Sequence, residues 1–269
     1  MSLSAGDMHY VDEGTGPPVL LVHGTPTWSF EYRHVIAALS KRYRCVAPDH
    51  FGFGLSERAP GFAYTPEAHA EALREFVDQL GLDAFTLVVH DFGGPIGLPL
   101  AVRASSPVRK LVILNTFAWP IDDDRAMAGP AKLIGGAVGR FLYRYANASQ
   151  RLIMPSAYGD RKLLTKAIHR QYLEVFRDRE ARVQVLHTLA RALLGSRAHY
   201  QSLLDALPRL RVPTLVLWGM KDTAFKPYHL ARWQALLPHA SVVRLEHSGH
   251  WPHEEEPSRV VAEIERFLN

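Results

Sequence analysis

The chain has 269 residues, 47% hydrophobic and 22% charged, with a formal net charge of +4 and a single cysteine. That length suits one large domain, or a core domain carrying an insertion, and can bury a core without disulfides or metals. The lone Cys45 excludes an intramolecular disulfide, the basic residues are dispersed among acidic ones, and no apolar run reaches the roughly 18 residues of a membrane span.

The expectation is therefore a cytoplasmic globular protein, with Cys45 in the core and with neither nucleic acid nor membrane as partner. The opening residues "MSLSAGDMHYVDEG" lack a basic-then-apolar leader pattern. In chain order, "MHYVDEG" followed by "TGPP" reads as a hairpin entry to the first buried run, "PPVLLVH" (17–23). Further short apolar runs follow as "YRCVAPD" (43–49), "FTLVVH" (85–90), "KLVILN" (110–115), "PTLVLWG" (213–219) and "SVVRL" (241–245). Continuous apolar runs of this length are the mark of strands buried on both faces of a parallel sheet. Helical patterns lie between them. Thr65-Pro66 opens one with Leu73, Phe76, Val77 and Leu80 on its apolar face and Gly81 at its end. Pro257-Ser258 opens the last, with Val260, Val261, Ile264, Phe267 and Leu268 inward. Alternating strands and helices predict an α/β fold with a mostly parallel, doubly wound sheet.

Residues 118–208 break this rhythm. Stretches such as "AKLIGGAVGRFLYRYANASQRLI" and "REARVQVLHTLARALLG" are helical in composition, and no strand stands out among them. The reading is an all-helical lid, 118–208, inserted into a core of 1–117 and 209–269. The lid would cover the carboxyl ends of the strands, where ligands of open α/β sheets bind.

Four motifs end strands there: "HGTPTWSFEYR", "VVHDFGGPIG", "WGMKDTAF" and "EHSGHWPHEEEP". Asp91, wedged before Gly93 and Gly94, is either a helix cap or a reactive carboxylate on a tight strand-to-helix turn. Asp222 is either a turn residue or a second functional carboxylate. His250 competes with His247 and His253, and His23 reads as a structural hydrogen-bonding residue. The histidines show no zinc-ligand spacing with a sensible third ligand, so no metal and no cofactor are expected.

Taken together, and in their order along the chain, the four motifs resemble the α/β-hydrolase superfamily, and within it the haloalkane dehalogenases. The resemblance covers nearly the whole length, and "HGTPTWSFEYR", "APDHFGFGLSE" and "WGMKD" carry most of it. It implies an α/β-hydrolase fold with Asp91 as nucleophile, His250 as base and Asp222 orienting that base. The backbone N–H groups of Thr25 and Phe92 would form an oxyanion hole. A carboxylate nucleophile suits displacement at a saturated carbon, giving an alkyl ester that a His-activated water then splits. The partners implied are a small apolar substrate, water and a halide ion, with the chain a monomer or homodimer. Trp28, Trp119 and Trp251 are expected to line the pocket. Two positions depart from the dehalogenase pattern. Phe92 stands where a tryptophan usually holds the halide, and Thr25 stands where an asparagine usually does. An epoxide hydrolase, with Tyr143, Tyr145, Tyr158, Tyr172 or Tyr200 as lid donor, is therefore an alternative. So is a β-lactone-processing relative, and so is a non-catalytic binder of small apolar ligands.

Overall fold

The apolar runs become strands of one sheet in the computed structural model, which describes all residues, Met1–Asn269. Two short strands, β1 (Ser2–Leu3) and β2 (Gly6–Asp7), pair with each other. The main sheet holds β3 (Tyr10–Glu13), β4 (Pro18–Val22), β5 (Arg44–Pro48), β6 (Phe85–Asp91), β7 (Val108–Thr116), β8 (Thr214–Gly219) and β9 (Ser241–Leu245). Their order across the sheet is β3-β5-β4-β6-β7-β8-β9, parallel throughout except for β3.

The expected hairpin does not form. β3 pairs antiparallel with β5, Val11 opposite Ala47, and not with its chain neighbour β4. β4 is an inner strand whose two edges are taken by β5 and β6. Its side chains Val19, Leu20, Leu21 and Val22 are wholly buried, which requires cover on both faces.

Helices supply that cover. Arg33–Leu39 (α1) and the C-terminal helix Pro257–Leu268 pack on one face, burying Val35, Leu39, Val260 and Ile264 against Val19, Leu21 and Val112. Pro66–Gln79 (α2) and Gly93–Val102 (α3) pack on the other, against Leu20, Val22 and Leu87. Thr65 caps α2 through its hydroxyl, which accepts the Ala68 N–H, and Gly81 follows the helix end at φ +66°. Cys45 is fully buried.

Between β7 and β8 the chain is helical, with no strand. It runs from Arg125–Gly135 to Arg197–Ala206 and includes three wide π-helical turns: Leu142–Ala146, Ser149–Ile153 and Arg182–His187. No helix is long and apolar enough to cross a membrane.

Strand order reverses between β4 and β6: the chain leaves β4 for β5 on one side, then crosses to β6 on the other. The carboxyl ends of β4 and β6 thus lie side by side at the switch point, where a crevice opens in such sheets.

Candidate active site

Asp91 is the last residue of β6 and has a left-handed backbone, φ +49°, a conformation that costs a non-glycine residue of order 1 kcal/mol. The turn is held from below, because Thr116 on β7 hydrogen-bonds the Asp91 carbonyl through its hydroxyl. It also needs glycine at two neighbours. A Cβ on Gly93 would lie 2.1 Å from the Val22 carbonyl oxygen, and one on Gly24 would lie 2.4 Å from Asp91 Cβ. These close approaches account for glycine in both "HGTP" and "HDFGG".

The side chain that results is aimed. Asp91 Oδ1 accepts the Thr25 N–H at 2.7 Å, and Oδ2 lies 3.5 Å from His250 Nε2. His250 Nδ1 is 2.7 Å from Asp222 Oδ2. That carboxylate also takes the Asn115 side-chain N–H at 2.8 Å and the Ala224 N–H at 2.7 Å. The His250 main chain is fixed at both ends: its N–H donates to the Ala157 carbonyl of the lid, and its carbonyl accepts from His90 Nε2.

Asp222 is fully buried, which would raise its pKa. The His250 charge and the hydrogen bonds from His250, Asn115 and Phe225 outweigh this and hold it below the ordinary range. Burial would lower His250, but the Asp222 and Asp91 carboxylates outweigh it and push it up to about 10. Both shifts favour the charged forms, an imidazolium at His250 paired with a carboxylate at Asp222.

Thus the three residues expected from separate motifs, Asp91, Asp222 and His250, come together, with Thr25 bonded to Asp91. Phe92 lines the same space but its N–H makes no bond to the carboxylate; it leads directly into α3. Of the three tryptophans expected in the pocket, only Trp251 lines it. Trp119 turns away, fully buried against Trp233 and stacked with His229 of the helix Pro227–Leu236, with the Arg232 guanidinium 4.6 Å from its ring. Trp28 stacks on Phe30 and packs against the cluster of Met154, Tyr158, Tyr172 and Trp251, outside the cavity.

The cavity, about 440 Å³, opens over Asp91 and His250. Its far wall comes from the helical segment between β7 and β8: Met127, Pro130, Ile134, Ile153, Leu186 and Leu193. Among the lid tyrosines only Tyr143 reaches it. Burial, with the Asp91 charge adding to it, pushes the Tyr143 phenol up to about 12, so it stays an O–H donor at neutral pH. Tyr158 and Tyr172 instead donate to Glu254, which also pairs with Arg33, and Tyr200 donates to the Ala192 carbonyl. Tyr145 is exposed. Glu255 accepts the N–H groups of Gly159 and Gly249, so the segment after His250 is laced to the lid through Glu254 and Glu255. The sequence reading missed this use of the acidic run in "WPHEEEP".

The family model described as "alpha/beta hydrolase fold" matches residues 17–257. The chain belongs to the α/β-hydrolase family. Within it, the chain is 40% identical over 268 residues to haloalkane dehalogenase 2 of Mycobacterium tuberculosis, covering 98% of this chain and 92% of that protein. It is 34% identical over 279 residues to a cis-3-alkyl-4-alkyloxetan-2-one decarboxylase of Shewanella oneidensis, covering 100% and 87%. A solved epoxide hydrolase has the same fold, with a TM-score of 0.82, 24% identity and 97% and 94% coverage. This chain is accordingly a haloalkane dehalogenase-like hydrolase.

Proposed function

We propose that the chain hydrolyses small apolar substrates at a saturated carbon through a covalent ester on Asp91, most nearly as a haloalkane dehalogenase does. The observation that carries this reading is the division of labour on one carboxylate of a cavity-lining residue: Oδ1 is held by the Thr25 N–H while Oδ2 lies beside His250 Nε2. Oδ2 bonds to the substrate carbon as the carbon–halogen bond breaks, and the halide leaves with the bonding pair. Alkylation removes the Asp91 charge. His250 then loses one of the two anions that keep it protonated, its proton passes to solvent, and Nε2 becomes a base.

In the second step Nε2 takes a proton from water as the water oxygen attacks Asp91 Cγ. Negative charge develops on Oδ1, where the Thr25 N–H already points, and the Phe92 N–H is the nearest second donor along the chain. Collapse expels the alcohol, which recovers its proton from His250, and the carboxylate returns. Asp222 holds the imidazole in place and balances its charge. The lid supplies an apolar wall that excludes water from the first step.

A second reading has a specific observation behind it. Tyr143 lines the cavity and carries a hydroxyl, whereas Phe92, which also lines it, has no N–H or O–H on its ring to offer a departing halide. A phenol that stays protonated suits an epoxide oxygen, which must gain a proton as its C–O bond opens. Bromoalkanes and terminal epoxides should therefore be tested side by side, following bromide and diol, on the wild type and on Tyr143→Phe. The first reading expects bromide release that Tyr143→Phe leaves within about threefold. Diol formation lost in Tyr143→Phe, with no bromide released by either protein, would replace it with the second.

A further inference from the structure

Three fully buried side chains, Glu31, His90 and His253, meet next to the trio and outside the cavity. His90 Nε2 lies 2.8 Å from the His250 carbonyl oxygen, and its Nδ1 lies 3.2 Å from Glu31 Oε1. A carbonyl oxygen only accepts, so Nε2 carries a hydrogen. Nδ1 and Oε1 then meet across one further proton, whichever atom holds it. Without that proton two lone pairs would face each other in a buried interior, which is costly. Glu31 Oε2 hydrogen-bonds Thr27 Oγ1, and Thr27 Oγ1 also lies 3.2 Å from the Gly24 carbonyl. His253 Nε2 is 3.7 Å from Glu31 Oε1, and its ring stacks on Tyr32.

These contacts end on three different segments of the site. Gly24 and Thr27 flank the loop whose Thr25 N–H holds Asp91 Oδ1. His90 immediately precedes Asp91. The carbonyl that His90 grips belongs to His250. We infer that Glu31 is a positioning residue of this site: through Thr27 and His90 it fixes the spacing between oxyanion donor, nucleophile and base. This rests on the ester reading above and predicts an effect confined to one step. Attack on the substrate needs only Asp91, whereas hydrolysis of the ester needs all three segments in register, and a misplacement near 1 Å there costs about 100-fold.

The experiment is single- and multiple-turnover kinetics with a bromoalkane, with intact mass to count the ester, on the wild type, E31L, E31Q and T27V, using H250F as the reference for a trapped ester. E31L is expected to alkylate within about threefold of wild type and to hydrolyse the ester about 30-fold or more slowly. Its kcat and KM then fall together. E31Q keeps an amide oxygen for Thr27 and an N–H for a bare Nδ1, so it should hydrolyse within about threefold of wild type. T27V should fall between them, and it carries the test if E31L does not fold. Ester hydrolysis at the wild-type rate in E31L or T27V would overturn the inference, as would E31Q being as slow as E31L. One equivalent of a divalent metal in the purified wild type would also overturn it, by putting a cation where the shared proton belongs. If H250F traps no ester, the Asp91 reading itself fails; if H250F traps it and E31L does not, only the role of Glu31 fails.

Discussion

On the sheet side of the cavity, Asp91, Asp222 and His250 are each held by several hydrogen bonds, from Thr25, Thr116, Asn115, Ala224, His90 and Ala157. On the lid side, formed by the helical segment between β7 and β8, Met127, Ile134, Ile153, Leu186 and Leu193 offer only van der Waals surface, and Tyr143 and Ser149 are the two hydroxyl-bearing residues. The difference follows from what each side must do. Directed bonds fix atoms to tenths of an ångström, which the proposed displacement at carbon and attack at Cγ would both require. Dispersion and exclusion of water are short-ranged but undirected, so an apolar wall can change shape without altering the chemistry. Substitutions on the sheet side should therefore act on rate, and those on the lid side on which substrate is chosen.

Asp91→Ala tests this most severely. It should abolish turnover of every substrate by about 10⁴-fold or more, measured as halide or alcohol release. Asp222→Asn should come next, lowering turnover by about 10³- to 10⁴-fold by leaving the imidazole without its counter-charge, with the ester accumulating in rapid-quench mass spectra. Phe92→Trp probes the border between the two sides. Phe92 lines the cavity edge-to-face with Phe117, and an indole N–H there would give the halide a donor. Bromide release should rise about tenfold while epoxide opening stays unchanged, at an overpacking cost of about 1–3 kcal/mol in denaturant melts. Ile134→Ala, on the lid, should leave kcat within about threefold and shift preference towards bulkier substrates; a large loss of kcat would break the contrast.

The ion-paired trio also predicts a pH dependence of stability. The folded pKa of His250 is raised, so its contribution is complete below the unfolded value near 6.5 and fades as pH rises through about 10. The folded pKa of Asp222 is lowered, so its contribution is present above the unfolded value near 3.8 and is lost as pH falls below that towards the folded value. The wild-type melting temperature should thus decline between pH 7 and 10 more than that of His250→Phe.

The sheet side was also the more legible in the sequence. Buried parallel strands need continuous apolar runs, so β4 to β9 stood out to within a few residues, and a sharp elbow needs glycine, so Asp91 was marked by its neighbours. β3 misled because sequence proximity suggests a hairpin, while the two edges of β4 were claimed by inner strands. Trp28 and Trp119 were misplaced because a side chain in a turn takes its direction from tertiary packing, which no periodicity records. In the lid, the helical repeat announces helices without saying which face meets the cavity, and the π-helical turns further shift that face. Glu31 lies inside the quoted "WSFEYR", yet a glutamate surrounded by aromatics carries no local sign that two histidines, at positions 90 and 253, will meet it.

The central claim is that Asp91 bonds to carbon. It is tested most directly by turning over an accepted substrate in H₂¹⁸O and locating the label. Ester hydrolysis at Cγ predicts that alcohol from the first turnover carries ordinary oxygen from Asp91, while the peptide containing Asp91 gains ¹⁸O. Label appearing at once in the alcohol, with that peptide unlabelled, would mean that water attacks the substrate directly, and would contradict the account.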